Sequence, residues 1–127
     1  MTENEISRHI VHAAIEVHRT LGGPGLLENV YEEALAWELQ QRGLIVERQL
    51  MVPVKYKGQS LTQSLRLDLL VDHKVIVEVK ATNIHNPIFE AQALTYLRLM
   101  GLRLAMVINF GERRAVDGIH RVVNRLD

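Results

Sequence analysis

The sequence predicts an α/β protein in which a mixed β-sheet is flanked by helices. Two amphipathic helical patterns open the chain, and a run rich in β-branched residues and leucine, interrupted at residues 72–74, then indicates a β-hairpin. A helical pattern over residues 87–100 separates that hairpin from an apolar strand at residues 102–110. A strand–helix–strand step requires a right-handed crossover and a parallel pair of strands. The sheet is therefore predicted to be mixed.

Composition limits the class of protein. The chain has 127 residues, of which 47% are hydrophobic, which suits one domain over residues 1–127. There is no cysteine, so disulfides, zinc–thiolate sites and iron–sulfur clusters are excluded. The charges of fifteen basic and fifteen acidic side chains cancel. A formal charge of zero argues against strong sequence-independent binding of nucleic acid, but it is compatible with a local basic rim. No apolar run reaches ~18 residues, and the N-terminus is acidic, so we expect a cytoplasmic protein without a membrane partner.

Two helices are predicted first. The first runs from about Glu5 to Leu21, with Thr2 or Asn4 as its cap. The second runs from about Leu26 to Arg42, and Gly43 ends it in the usual position. Its predicted apolar face consists of Leu27, Val30, Tyr31, Ala34, Leu35 and Leu39.

The strands and the third helix follow. Residues 45–54 alternate apolar and polar side chains as a strand does, and Pro53 marks an edge or a bend. Three or four strands are expected before the third helix, which Asn86 should cap and Gly101 should end. Residues 102–110 are apolar on both faces, as in an interior strand, and residues 118–123 form a closing strand.

The central hairpin places three charged residues together. A three-residue loop pairs Val71 with Val75 and sets Asp68 opposite Glu78, on the face that also carries Lys80, whereas a two-residue loop would send Asp68 to the other face. We favour the first register, because it leaves the apolar residues Leu67, Leu69, Val77 and Val79 for a core.

This charged group suggests a metal site. Two facing carboxylates repel each other unless a cation lies between them, and oxygen ligands with open water positions suit Mg²⁺. Lys80 could then hold a water molecule or a developing phosphate charge. The alternative is a surface ion pair between Glu78 and Lys80 at a sheet edge.

Three further side chains have two interpretations each. Glu28 lies in the first turn of the second helix, where it either complements the helix dipole or reaches into a site at the edge of the core. Gln92 and Tyr96 are four residues apart and share a face of the third helix. They either lie partly buried against the sheet or orient a phosphate beside the carboxylates.

Taken together, these residues resemble the restriction-endonuclease-like superfamily, whose pattern is written PD-(D/E)xK. Asp68 and the sequence from Glu78 to Lys80 match that pattern, although Leu67 stands where proline is usual. Gln92-x-x-x-Tyr96 resembles the QxxxY motif of the RecB-like exonuclease branch. Gly25 to Tyr31 matches the pattern of the GxxExxY protein family, and the resemblance extends from about residue 6 to residue 123.

The resemblance implies an αβββαβ core with an extra N-terminal helix, and hydrolysis of phosphodiester bonds with Mg²⁺ or Mn²⁺. It implies that Asp68, Glu78 and the carbonyl of Val79 bind the metal and that Lys80 positions the attacking water. Glu28 would be a further acidic ligand or would orient water. Gln92 would belong to the catalytic site, and Tyr96 and Tyr31 would contact the substrate.

Two classes of function follow. The first is a metal-dependent nuclease acting on nucleic acid, with DNA as the favoured substrate. The nuclease would act alone, as a homo-oligomer, or with a partner protein that helps to hold the DNA. The second is a non-catalytic nucleic-acid- or protein-binding domain that keeps the nuclease fold. The presence of all three residues Asp68, Glu78 and Lys80 favours the enzyme, whereas the neutral charge and small size favour the binding domain.

Overall fold

A computed structural model describes residues 1–126 and has the predicted architecture, a five-stranded mixed sheet flanked by helices. None of the helices over these residues is long and apolar enough to cross a membrane. A 3₁₀ turn at Ala115–Gly118, which was not predicted, precedes the last strand. The elements in chain order are α1 (Glu3–Thr20), α2 (Glu28–Gln41), β1 (Val46–Tyr56), β2 (Gln59–Val71), β3 (Val75–Lys80), α3 (Ile88–Met100), β4 (Leu104–Asn109) and β5 (Ile119–Val123).

The strands lie in the sheet in chain order, from β1 to β5. All neighbours are antiparallel except β3 and β4, which are parallel and joined through α3, as the strand–helix–strand step predicted. Every residue of β4 is buried, which confirms an interior strand. The register of the central hairpin is also confirmed, because Val71 pairs with Val75. Positive φ angles of 52° and 57° at Asp72 and His73 make the three-residue loop possible.

Helices cover both faces of the sheet. Side chains of α1 and α2 pack on one face and those of α3 on the other, and each face forms its own hydrophobic cluster. Because successive strand residues point to opposite faces, β3 contributes to both clusters. Val75, Val77 and Val79 lie toward α1 and α2, and Ile76 lies toward α3.

Helix ends mostly follow the predicted chemistry. Thr2 caps α1 in a reciprocal capping box with Glu5. Gly101 ends α3 with a left-handed φ of 67°. The predicted cap of α3 is displaced by one residue: Pro87 occupies the cap position, while the Asn86 side chain still accepts a hydrogen bond from the Ile88 N–H.

The predicted apolar face of α2 was wrong at its N-terminal end. Leu27 is 74% exposed, although it has helical spacing with the buried residues Tyr31 and Leu35, and Val30 is 42% exposed. The buried face instead includes Glu32. The first turn of α2 thus presents apolar side chains to solvent, which spacing along one helix does not reveal.

The four apolar residues predicted for the core around the hairpin are all buried, but they do not all lie on one face of the sheet. Leu69 packs toward α1 and α2, but Leu67 packs in the α3 cluster. Simple alternation would place them on the same face. The pairs of β1 with β2 pass from Arg48 with Leu69 to Leu50 with Leu67, and the intervening Gln49 has a φ of +51°. This irregularity lies opposite Asp68 and accompanies the change of face.

A buried asparagine holds the chain that follows β3. Asn109, fully buried at the end of β4, accepts hydrogen bonds from the N–H groups of Thr82 and Gly111 and donates to the Thr82 carbonyl. A Cβ at Gly111 would lie 2.1 Å from that carbonyl oxygen, so only glycine fits there. Two residues beyond Lys80, the backbone is therefore fixed to β4.

Candidate active site

Asp68 and Glu78 meet where β2 and β3 begin to separate. The ladder between the two strands ends at the pair Leu69 and Val77. Beyond it, each carboxylate binds the other strand's backbone: Glu78 Oε2 accepts from the Asp68 N–H at 2.9 Å, and Asp68 Oδ2 accepts from the Val79 N–H at 2.8 Å. These reciprocal bonds replace ladder hydrogen bonds and fix both side chains.

Burial and charge act together on Glu78. It is only 8% exposed, and this burial raises the pKa of its carboxyl from 4.5 to about 7, with the negative charge of Asp68 as the next cause. The Asp68 N–H and the Lys80 ammonium oppose the rise in pKa without cancelling it. The site therefore favours either a proton or a cation beside Glu78.

Lys80 lies on the same face of β3, next to the acids. Its charge lowers the pKa of Glu78, and its Nζ lies 4.6 Å from the centre of the Phe89 ring. Among the ion pairs within residues 1–126, none joins Lys80 to Glu78. The surface ion pair considered as an alternative is therefore not formed, and Glu78 is not a surface residue.

Tyr96 approaches the acids from α3. Its side chain is half-buried, and the pKa of its hydroxyl is raised by burial and by the charges of Glu78 and Asp68. Gln92, one turn earlier, is exposed on the same helix. The structure thus brings Tyr96 to the edge of the site, with Gln92 on the solvent side of it.

A buried acid on α2, which the sequence analysis did not single out, also acts on the site. Glu32 of α2 is 5% exposed and accepts hydrogen bonds from Arg48 and Gln49. Its charge contributes to the raised pKa of Glu78. The available sequence signal is the opposite charge of Glu32 and Arg48. Because 16 residues separate the two, the sequence alone does not show that they pair.

Glu28 and Tyr31, the two α2 residues singled out in the sequence, lie in different environments. Glu28 is exposed in the first turn of α2, where a carboxylate complements the helix dipole. Tyr31 is fully buried, its ring is stacked 4.7 Å from that of Phe110, and its hydroxyl donates to the Gly23 carbonyl. In this arrangement Tyr31 anchors the glycine-rich loop and has no exposed surface.

The donor set suits a hard divalent cation. One oxygen of each carboxylate is held by a backbone N–H, which leaves Asp68 Oδ1 and Glu78 Oε1 as the remaining donors. Oxygen donors without sulfur or imidazole are the set that Mg²⁺ and Mn²⁺ prefer. Val79 lies between Glu78 and Lys80, is buried, and donates its N–H to Asp68.

A five-stranded mixed sheet flanked by helices is consistent with the PD-(D/E)XK fold. The chain matches the PD-(D/E)XK nuclease superfamily over residues 4–122 and belongs to it. Members of this superfamily generally use divalent metals.

A solved structure described as the crystal structure of SSO0001 is similar, with a TM-score of 0.57 and 11% sequence identity. The similarity covers 96% of this chain and 79% of that chain, and at this identity it shows a common fold. No curated protein matches the sequence.

Proposed function

We propose that this protein is a divalent-metal-dependent nuclease that hydrolyses phosphodiester bonds of nucleic acid, with DNA as its substrate. The observation that carries the proposal is the pair Asp68 and Glu78, fixed by reciprocal bonds to backbone N–H groups, with one oxygen of each carboxylate left over. Membership of a nuclease superfamily supports the same conclusion.

The roles of the residues follow from their positions. Asp68 and Glu78 would hold Mg²⁺ or Mn²⁺, with the Val79 carbonyl as a further ligand. Such a cation, when bound, polarises the phosphate and lowers the pKa of bound water. Lys80 orients the attacking water and stabilises the negative charge that develops on the phosphate, because its compact ammonium lies beside the acids.

The remaining residues act around this centre. We assign Tyr96 to the scissile phosphate, because burial and the charges of both acids act on its hydroxyl and raise its pKa. Gln92 would meet the substrate at the solvent side, since it is exposed one turn away. For the acid contributed by α2, Glu32 is better placed than Glu28, because it is buried and its charge acts on Glu78.

The finer assignments rest on sequence motifs. We assign the chain to the GxxExxY family on residues 25–31 and to the QxxxY branch on Gln92 and Tyr96. We further propose that residues 1–127 act as one domain, and that a homo-oligomer or a partner protein helps to hold the substrate, because the formal charge is zero.

The decisive test is a cleavage assay on single- and double-stranded DNA and RNA, with Mg²⁺, with Mn²⁺ and with a chelator. We expect DNA cleavage only with metal. In Lys80→Ala the rate should fall by roughly 10²–10³, as for loss of one group that stabilises transition-state charge.

Lys74→Ala is the matched control. Lys74 directly precedes β3, at the end opposite Lys80, and its ammonium binds the Met1 carbonyl. This variant should cleave at the wild-type rate. Equal rates for wild type and Lys80→Ala would remove Lys80 from the mechanism, and no cleavage of any substrate with either metal would contradict the nuclease proposal.

A non-catalytic binding domain is the second candidate, and one observation favours it. Asp68 and Glu78 each complete a backbone hydrogen bond between β2 and β3, so the fold itself has a use for both side chains. A binding domain could therefore keep both acids without catalysis. It would bind nucleic acid or a partner protein in the presence of chelator and would leave nucleic acid intact.

A further inference from the structure

A second cluster of ligating side chains lies at the start of α3. His85 of the loop after β3, Glu90 of α3 and His120 of β5 each offer one ligand atom, and these three atoms lie within 4.8 Å of one another. His85 Nε2 is hydrogen-bonded to Glu90 Oε1, and the rings of His85 and His120 are stacked with their centres 4.0 Å apart. Three separate elements thus bring three donors to one point.

The same two histidines carry buried nitrogens that have no partner. His85 Nδ1 and His120 Nε2 are inaccessible to solvent and form no hydrogen bond within the described part of the chain. A buried polar atom without a partner is costly, typically by about 1–3 kcal/mol. The two atoms belong to rings that are stacked on each other, so both unpartnered nitrogens lie in the same small region.

We propose that His85, Glu90 and His120 form a second metal site, which takes a borderline transition-metal ion such as Zn²⁺. Two imidazole nitrogens and one carboxylate are a common ligand set for this class of ion, with the remaining positions filled by water. Ligand atoms on a tetrahedral Zn²⁺ lie roughly 3.3 Å apart, given bonds of about 2.0–2.1 Å.

The chemistry of the two sites is different. The centre at Asp68 and Glu78 offers oxygen donors, which suit Mg²⁺ and Mn²⁺, whereas the histidine cluster offers nitrogen, for which Mg²⁺ is a poor match. The two sites should therefore load independently. Neither His85 nor His120 belongs to the PD-(D/E)xK, QxxxY or GxxExxY motifs of the sequence.

The site would fasten a segment next to the catalytic lysine. The ring of Phe89 packs edge-on against His85, with centres 5.5 Å apart, and the Lys80 ammonium lies over that same ring. An ion held by His85, Glu90 and His120 would join the loop after β3, the first turn of α3 and β5. It would thereby stiffen the support on which Lys80 rests.

Calorimetric titration of chelator-treated protein with Zn²⁺, and titration with Co²⁺ followed by visible absorption, test the proposal. We expect one equivalent of Zn²⁺ and a Co²⁺ spectrum typical of nitrogen ligands. The double variant Asp68→Asn, Glu78→Gln should retain both, and excess Mg²⁺ should not displace the ion. His120→Gln and Glu90→Gln should each weaken Zn²⁺ binding at least about tenfold.

His12→Gln is the matched control, because His12 is an exposed histidine on α1. It should bind Zn²⁺ as the wild type does, and circular dichroism should confirm that every variant is folded. The proposal is overturned if His120→Gln and Glu90→Gln bind as tightly as wild type, or if no Zn²⁺ binds. Loss of the ion in the Asp68 and Glu78 double variant would assign it to the carboxylate centre instead.

Discussion

Replacing Glu78 by glutamine should stabilise the metal-free protein, and only at high pH. The pKa of Glu78 is raised to about 7 in the folded protein, against its ordinary value of 4.5. Between these values the folded state holds a proton that the unfolded state has lost. The free energy of unfolding is therefore highest below pH 4.5 and falls as the pH rises to about 7, by about 3 kcal/mol in all.

Glutamine removes this titration but can keep the local structure. Its side-chain oxygen can still accept the hydrogen bond from the Asp68 N–H that Glu78 Oε2 accepts. At pH 5 the variant and the wild type should have similar free energies of unfolding. At pH 8.5 the variant should be more stable by about 2–3 kcal/mol, which corresponds to roughly 10 °C in Tm.

The assay is thermal and urea unfolding of both proteins from pH 5 to 8.5 in the presence of a chelator. The difference between the two proteins is the quantity of interest, because the titration of all other groups largely cancels in it. A difference that does not change with pH, or that favours the wild type at high pH, would refute the reasoning about Glu78. Addition of Mg²⁺ should stabilise the wild type by mass action and leave the variant nearly unchanged.

Three other substitutions give separate tests. Asp68→Asn should abolish Mg²⁺ binding in calorimetry while the protein stays folded, because the amide can still accept from the Val79 N–H but no longer carries charge. Tyr31→Phe should lower the free energy of unfolding by about 1–3 kcal/mol with unchanged cleavage, since its hydroxyl serves the glycine-rich loop; reduced cleavage without loss of stability would instead place Tyr31 at the substrate. Gly111→Ala should destabilise by more than about 3 kcal/mol in urea unfolding, because its Cβ would meet the Thr82 carbonyl.

Much of the fold could be predicted because it depends on local chemistry. The three-residue loop at 72–74 fixed the register of the hairpin, and with it the meeting of Asp68 and Glu78. The apolar pattern of residues 102–110 indicated a strand buried on both faces, which β4 is. These features are set by the residues of one turn or one strand.

The errors concern features that distant residues decide. Glu32 is buried because Arg48 and Gln49 bind it, and neither lies near it in sequence. Leu67 changes face where Gln49, on the neighbouring strand, has a positive φ. Spacing along a single helix or strand contains no information about a partner on another element, so both features required the tertiary structure.

The separation of β2 from β3 has a consequence for how relatives of this protein should be compared. Because Asp68 and Glu78 serve as links between two strands, a homologue that had stopped cutting nucleic acid would still be under selection to keep acceptors at both positions. Lys80 does not link the two strands, because its ammonium contacts an aromatic ring and no backbone group within the described residues. Lysine at position 80, more than the acids, is therefore the residue whose loss would mark a homologue that has become inactive.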